Sequence, residues 1–553
     1  MCPQVVPLIP TNGCNAEILE RLEVVYHTEA FKNRSAAWLS GAVQIPTESY
    51  DDLGPVGTDP RWDTFPELHA YLRRAFPLTF TRLIFTPIST HNIVLHWQGT
   101  DDSLKPILLT GHQDVVPVDP TTLDQWMYPP YSGFFDGTYI FGRGSRDDKS
   151  GLIGLLASFE SLLEVGFKPR RTIVLASGID EEAGGEFGAG QLGVYLEETY
   201  GIDSFAMLVD EGGNLEDQYG IFVALPDIGE KGYLDVEVEL LTPGGHSSIP
   251  PNHTSIGLLA LAIALIEQNP SPYQLSRISP FYATMQCVAE NGHGIPADYL
   301  DLVKKSLASD RALKKLESLL LETGGDQEKA RLTTTQAVDI IRGGVKVNAL
   351  PERASAIVNH RISVDSSVNE LMARLTALLQ PFAEEYRLGF VSFEKTISPL
   401  TPKSPCAHSN PGTFSLFTST ELSEANATTG TLRLSEAYNS ALEPAPITPT
   451  DTAAYKILSG SIRATHARTT LNDPKAKQQE MTVSPNLAKG NTDTRFYWNL
   501  TRNIFRYNHR PVYSLPFSGG AHTVNEAIPV SALVEEIRFF TLLILNADES
   551  NEL

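Results

Sequence analysis

Three short, unbroken apolar runs mark the first half of the chain: "PILLTGH", "RTIVLASGIDEE" and "SFAMLVDEGG". Runs of this kind predict strands buried on both faces of a parallel sheet. Between the first two lies "KSGLIGLLASFESLLEVG", with apolar residues at helical spacing and Gly166 placed as a C-terminal stop. "QLGVYLEETYG" predicts a second helix ahead of the third run. The order β-α-β-α-β predicts a doubly wound α/β layer. Each predicted strand ends in acid or histidine: His112 and Asp114, then Asp180, Glu181 and Glu182, then Asp210 and Glu211. Ligands bind at the carboxyl ends of strands in open α/β sheets, so these polar tips are expected to converge on one site.

After residue 230 the pattern changes. "KGYLDVEVELL" alternates as a half-exposed antiparallel strand does, and "TSIGLLALAIALIEQ" follows as an amphipathic helix. "ERASAIVNHRISV", "SVNELMARLTALLQPFAEEY" and "RLGFVSFEK" continue as strand, helix and strand. Residues 231–398 therefore read as a smaller inserted α+β domain, with "ADYLDLVKKSLASDRALKKLESLLLETGG" as a helical excursion within it. Residues 1–230 and 399–553 are expected to form one larger domain. Its second part opens on an irregular connection, near 399–449, rich in Pro, Ser, Thr and Asn.

Composition narrows the function classes. With 42% hydrophobic and 20% charged residues the chain is an ordinary globular protein. A net charge of -23 argues against nucleic acid or an anionic membrane surface as partner. No run approaches the ~18 apolar residues of a transmembrane helix. The start, "MCPQVVPLIPTNG", has no signal-peptide pattern. A cytoplasmic location is expected if Met1 is the native start, and a vacuolar or secreted one if an upstream segment is missing. Cys2, Cys14, Cys287 and Cys406 form no CxxC pair, and unpaired thiols are expected, with a Cys2–Cys14 bridge as the alternative in an oxidising compartment. Sequons at Asn33, Asn252, Asn426 and Asn499 matter only in a secreted protein.

The candidate chemistry is metal chemistry. Zinc accepts imidazole nitrogen and carboxylate oxygen, and a two-metal hydrolytic site needs a carboxylate shared by ions about 3.5–4 Å apart. "FGRGSRDDKSG" offers such a carboxylate in Asp147 or Asp148, and "SGGAHTVNEAIPV" offers a late imidazole, His522. Singly these features are bland: a lone histidine is ordinarily a hydrogen-bonded structural residue, and acids ahead of a helix are ordinarily caps. Their joint placement at successive strand ends is not.

The chain resembles the M20 metallopeptidases, in particular the branch holding carboxypeptidase S and the N-acyl-amino-acid hydrolases. The blocks that carry the resemblance are "GHQDVVPV", "WMYPPYSGFFDGTYIFGRGSRDDKSG", "IDEEAGG", "VDEGG", "GGHSSIPP", "VNALPE", "VNHRI", "EPAPITPTDTAAYKILSG", "GNTDTRFYWNL" and "AHTVNE", in family order. The resemblance implies a di-zinc metallopeptidase domain with an inserted lid or dimerisation domain. One zinc ion would be held by His112 and Asp210, the other by Glu182 and His522, with Asp147 bridging. Relatives differ over which acid of "DEG" binds metal, so Glu211 stands as the alternative to Asp210. Asp114 would orient His112, Glu181 would be the general base, and His246 of "GGHSS" would stabilise the oxyanion, often from a partner subunit. Asn348 and Arg361 of the lid, with the Gly490 segment and Arg495, would grip a free carboxylate. Two residues depart from the family pattern. Phe141 stands where many relatives have Trp, and Arg146 precedes Asp147 where they carry a small or apolar residue, so that it would pair with Asp148 or lower a nearby acid's pKa.

The implied function is removal of a C-terminal residue from short peptides. Hydrolysis or condensation of N-acyl amino acids on the same fold is the close alternative, and a non-catalytic binding or scaffold relative the remote one. The partners implied are a short peptide or an N-acyl amino acid and, in a lid-paired form, a second copy of the chain.

Overall fold

The computed structural model describes residues 2–397, 429–469, 481–511 and 519–553. It divides into two compact units: Met1–Glu230, Arg277–Leu319 and Ala445–Leu553 in the first, Lys231–Ser276 and Leu320–Pro444 in the second. The sequence-based boundaries change in two places. Residues 277–319, expected within the inserted domain, group with the first unit, because Val288 of the Pro280–Asn291 helix is buried against Ile221, Val223 and Leu225. Part of the expected irregular connection is regular: Gly430–Glu436 is a strand of the second unit. The rest of that connection, 398–428, lies outside the described residues, as do Cys406 and Asn426.

The first unit is built on an eight-stranded sheet. Its order is Ile84–Ile88, Asn92–Trp97, Ile173–Ser177, Ile107–Thr110, Met207–Asp210, Ile504–Arg506, Asp227–Glu230 and Asn486–Ala488. From Ile173–Ser177 to Ile504–Arg506 the strands run parallel. The three apolar runs are buried at every strand position, as strands covered on both faces must be. Alternation sorts their side chains. Leu108, Val174, Ala176 and Leu208 pack with Leu192 and Leu196 of the Ala189–Tyr200 helix. Ile107, Leu109, Ile173, Leu175 and Val209 face the Lys149–Glu164 and Val530–Glu549 helices. From the central strand Ile107–Thr110 the chain moves first to one side, at Ile173–Ser177, and then to the other, at Met207–Asp210. That reversal is a topological switch point, where an open sheet leaves a crevice at its strand ends.

The closing helix, Val530–Glu549, is buried along nearly its whole length, yet no described helix is long and apolar enough to cross a membrane. Its charges are partnered inside the unit: Arg538 Nε donates to Glu23 at 3.0 Å, and Glu536 lies 3.4 Å from Arg510. The expectation of unpaired thiols is corrected. Cys2 and Cys287 form a disulfide that ties the N-terminal segment to the Pro280–Asn291 helix, and Cys14 is free and exposed. A separation of 285 residues leaves no local trace of such a pairing.

The second unit is a six-stranded sheet: Thr335–Gly343, Arg353–Ile362, Gly232–Leu241, Gly430–Glu436, Leu388–Ser392 and Lys395–Ile397. One face carries Leu234, Val236, Val238 and Leu240 against the helices Ser255–Gln268 and Val368–Glu385. Local chemistry starts both helices. Thr254 Oγ1 accepts from Gly257 N, and Ser367 Oγ accepts from Glu370 N in an S-x-x-E cap.

His360 lies in the helix-covered face with Val358 and Ile362, and burial depresses its imidazole to about 4. The unfolded chain protonates this ring near pH ~6.5, the folded unit only near pH 4, so the residue withdraws stability as pH falls through that window. His360→Leu should therefore gain stability relative to the parent chain on moving from neutral pH to about pH 5. Calorimetric melting at the two pH values checks this; an equal difference at both would show that His360 titrates normally in the fold.

Candidate metal centre

His112 lies two residues past the central strand and is 1% exposed. Its Nδ1 faces Asp114, 3.2 Å from Oδ1 and 3.1 Å from the backbone oxygen, which turns Nε2 toward the crevice. Asp114 is itself fixed. Ser49 Oγ donates to Oδ2 at 2.6 Å, and the backbone N–H groups of Glu181 and Glu182 donate to its two oxygens at 3.2 Å. One buried carboxylate thus joins the first strand tip to the second. There the chain leaves the sheet in a short 3-10 turn, Glu181–Ala183, closed by Gly184 and Gly185 at φ +101° and +73°. The turn lets two adjacent glutamates serve one site, which a continuing strand forbids.

The other imidazole arrives from far away in sequence. Ala527–Pro529 pairs antiparallel with Tyr139–Phe141, which brings the "AHTVNE" segment beside the loop carrying Asp147. Glu526, fully buried, locks the two together: it accepts from Arg143 Nη1 at 2.6 Å and from the backbone N–H of Arg146 and Asp147 at 2.9 and 3.2 Å. The Asp147 carboxylate then lies between the imidazoles, Oδ1 3.5 Å from His112 Nε2 and Oδ2 3.2 Å from His522 Nε2. Glu182 Oε1 lies 3.0 Å from His522 Nε2, and Glu211 Oε2 lies 3.4 Å from His112 Nε2. Candidate ligand atoms fall within 4.8 Å of one another in three overlapping sets: His112, Asp148 and Glu211; His112, Glu181 and Glu182; Asp147, Glu182 and His522.

The electrostatics call for cations. Burial and neighbouring acids raise Glu181 and Glu182 above the usual carboxylate range and push Glu211 up to about 7. Burial alone would depress His112, but Glu211, Asp114 and Asp147 outweigh it and hold the ring well above its ordinary value. Hydrogen bonds to Asp147 and Glu182 raise His522 to about 10. His112 Nε2 is buried with no hydrogen-bond partner among the described residues, and so is Asp148 Oδ2. An orphaned imidazole nitrogen among crowded carboxylates, with no thiolate, is a donor set that fits zinc.

Several expected site residues fall elsewhere. Asp210 is in none of the three sets; its Oδ1 accepts from Thr110 Oγ1 at 2.6 Å. Glu211, one residue past the strand end, lies 3.4 Å from His112 Nε2, while Asp210 Oδ2 is buried with no hydrogen-bond partner among the described residues. Arg495 Nη2 donates to the Gly184 carbonyl and its guanidinium lies 4.6 Å over the Phe496 ring, beside the glutamate turn. Nothing lies within 4 Å of the space a side chain at Gly490 would take. Arg146 does not pair with Asp148. That acid is held by Asn508 Nδ2 at 2.9 Å and Arg510 Nη2 at 3.0 Å. Sequence reasoning passed over Asn508 and Arg510. Their signal was "NIFRYN", a fourth apolar run with a polar end, whose strand lies parallel beside Met207–Asp210.

His246, Asn348 and Arg361 belong to the second unit. His246 sits on a two-residue strand paired with Ala349–Leu350, and Ser247 N donates to the Asn348 carbonyl at 3.3 Å, so His246 and Asn348 are neighbours. Ser248 N donates to His246 Nδ1 at 3.2 Å, which leaves the ring hydrogen of the neutral imidazole on Nε2. Arg361 lies on the sheet face away from the helices, its guanidinium 4.5 Å over the Tyr233 ring.

The family model for peptidase family M20/M25/M40 matches residues 108–546. The chain is 37% identical to carboxypeptidase S of Saccharomyces cerevisiae over 99% of its own length and 89% of that protein's. It is 29% identical to the N-fatty-acyl-amino acid synthase/hydrolase PM20D1 of Mus musculus, over 93% and 88% of the two chains. Human carnosine dipeptidase 1 shares the fold at a TM-score of 0.59 and 14% identity, covering 98% of this chain and 100% of that one.

Glu211→Gln should lower retained metal more than Asp210→Asn does, measured by atomic emission after dialysis. Loss confined to the Asp210 variant would return the ligand role to that residue.

Proposed function

The chain belongs to peptidase family M20/M25/M40, a family of metallopeptidases, and from that premise we propose that it is a di-zinc carboxypeptidase acting on short peptides with a free C-terminal carboxylate. The observation that carries the reading is Asp147, one oxygen toward each of two imidazoles, as a carboxylate shared by two ions requires. In this reading His112 and Glu211 hold one ion, Glu182 and His522 the other, and Asp147 both. When bound, the ions lower the pKa of water toward neutrality and polarise the scissile carbonyl.

The protein's own groups do the rest. Asp114 keeps the His112 ring oriented and basic. Glu181, raised by burial beside the centre but outside the Asp147–His522 set, takes the proton of the attacking water and passes it to the leaving amine. His246, its Nδ1 engaged by Ser248, presents Nε2 as a donor for the oxyanion. Arg361 supplies a planar fork for the substrate carboxylate, its guanidinium stacked over Tyr233, and Asn348 adds a second polar group. The Gly490 segment, open at its Cα, leaves room for that carboxylate to approach backbone.

The N-acyl-amino-acid reading is favoured by the likeness to the mouse synthase/hydrolase and uses the same ligands and the same carboxylate grip. Turnover of a mixed panel of dipeptides and N-acyl amino acids by zinc-loaded protein separates the two. The Cys2–Cys287 bridge supports a vacuolar or secreted location over a cytoplasmic one, since cytosolic thiols are kept reduced.

Glu181→Gln removes the proton acceptor and leaves the ligands in place, so kcat should fall by about two to four orders of magnitude with metal content unchanged. Metal loss in that variant as large as in Glu182→Gln would exchange the two roles. C-terminally amidated dipeptides should be poor substrates, because they cannot form the charge-assisted pair with the guanidinium, and Arg361→Ala should raise KM for the free acids and narrow the gap to their amides. Equal turnover of a dipeptide and its amide by the parent enzyme excludes carboxylate recognition.

A further inference from the structure

Three arginines converge on the loop that carries Asp147, and two are committed. Arg143 is paired with Glu526 at 2.6 Å. Arg510 donates to Asp148 at 3.0 Å and to Ser150 Oγ at 3.0 Å, with Glu536 3.4 Å from its Nε. Arg146 differs. Its backbone N–H is held by Glu526, but its guanidinium has no hydrogen-bond or ion-pair partner among the described residues. The side chain is half-buried and lines a cavity of about 400 Å³ with Asp147, Glu211, Asn508, Arg510 and Gly520. Burial and the neighbouring charge of Arg510 oppose its positive charge, while Glu526 and Asp147 favour it.

A half-buried guanidinium without a partner among the described residues, beside a second cation, is a site that an anion completes. The acids on the cavity wall do not complete it. Asp147 and Glu211 are turned to the imidazoles, and the ions of the proposed centre would take up their charge. We infer that Arg146 is a specificity-determining residue that selects substrates carrying a second negative charge besides the α-carboxylate, such as acidic peptides or N-acyl amino acids with an acidic side chain. The inference rests on the peptide and acyl-amino-acid reading given above and names its substrate class. A neutral substrate of the same shape leaves the guanidinium desolvated without a partner, which is how a site built for a charged group discriminates against the isostere lacking it.

The test compares isosteric pairs, Asp against Asn and Glu against Gln, at each position of a dipeptide and in N-acyl form. The ratio of kcat/KM for acid over amide side chain does not depend on how much of a variant is correctly folded. The parent enzyme should favour the acid at one position by about tenfold or more. Arg146→Met should bring that ratio near unity, Arg146→Lys should keep part of it, and Arg146→Glu should reverse it toward cationic side chains. Absence of an acidic preference at every position in the parent, or its survival in Arg146→Met, overturns the inference. Calorimetric binding of the same pairs to parent and Arg146→Met protein gives a second readout. If no peptide or acyl amino acid is turned over, the proposed function fails by itself, and the binding ratios still decide the role of Arg146.

Discussion

Everything in the first unit answers to one requirement: a carboxylate, Asp147, has to stand between two imidazoles that are 410 residues apart in sequence, at positions 112 and 522. No local structure brings such groups together. The sheet supplies half of the solution by ending its central strand at Thr110, two residues short of His112, in the crevice of the switch point. The pairing of Ala527–Pro529 with Tyr139–Phe141 supplies the other half. What makes the two halves one site is a pair of buried carboxylates that never face the crevice. Asp114 ties the first strand tip to the glutamate turn, and Glu526 ties the Asp147 loop to the His522 loop. Both accept backbone N–H donors, so each satisfies peptide groups that the irregular loops would otherwise leave buried and unpaired.

This arrangement is electrostatically costly in the absence of cations. Like charges in a desolvated crevice raise one another's pKa, as Glu181, Glu182 and Glu211 show. The compensation lies in the apolar layers beneath. Each parallel strand buries alternate side chains against helices on both faces, at roughly 1.5–3 kcal/mol for each large aliphatic residue. The layers are thick where the site is polar. The Val530–Glu549 helix, buried along nearly its whole length, also carries Glu536, which holds Arg510, which in turn holds Asp148. Core and site are therefore coupled by a chain of charge pairs rather than merely adjacent.

The strand tips were legible in the sequence because a greasy run that stops on His or Asp is a local signal, and three such runs in order imply a shared edge. Which of two adjacent acids turns inward was not, because Asp210 and Glu211 differ only in whether the strand has already ended, and that is decided by tertiary pairing. The Gly430–Glu436 strand was hidden by its surroundings: Leu432 and Leu434 are its only buried positions, set in a stretch of Ser, Thr and Asn. Membership of residues 277–319 in the first unit depended on packing of Val288 and on the Cys2–Cys287 link, neither of which has a sequence period. The contact of Arg495 with the glutamate turn was hidden for a different reason. A motif arginine looks the same whether it faces a ligand or braces a loop, and only the Gly184 carbonyl distinguishes them.

The two imidazoles are not equivalent, and the asymmetry follows from how each is delivered. His112 is 1% exposed, two residues past a fully buried strand and locked by Asp114. His522 is 51% exposed, on a turn whose hydrogen bonds run between Gly520 and Thr523, with φ +61° at the histidine itself. A group on a strand end inside a packed layer moves only with the layer, whereas a half-exposed turn opens at much lower free energy. The cavity lined by Arg146 includes Gly520 and Ala521, the residues just ahead of His522. It also holds Asp147 and Glu211, so anything that enters it lies between the half-exposed turn and the acids turned to the buried imidazole.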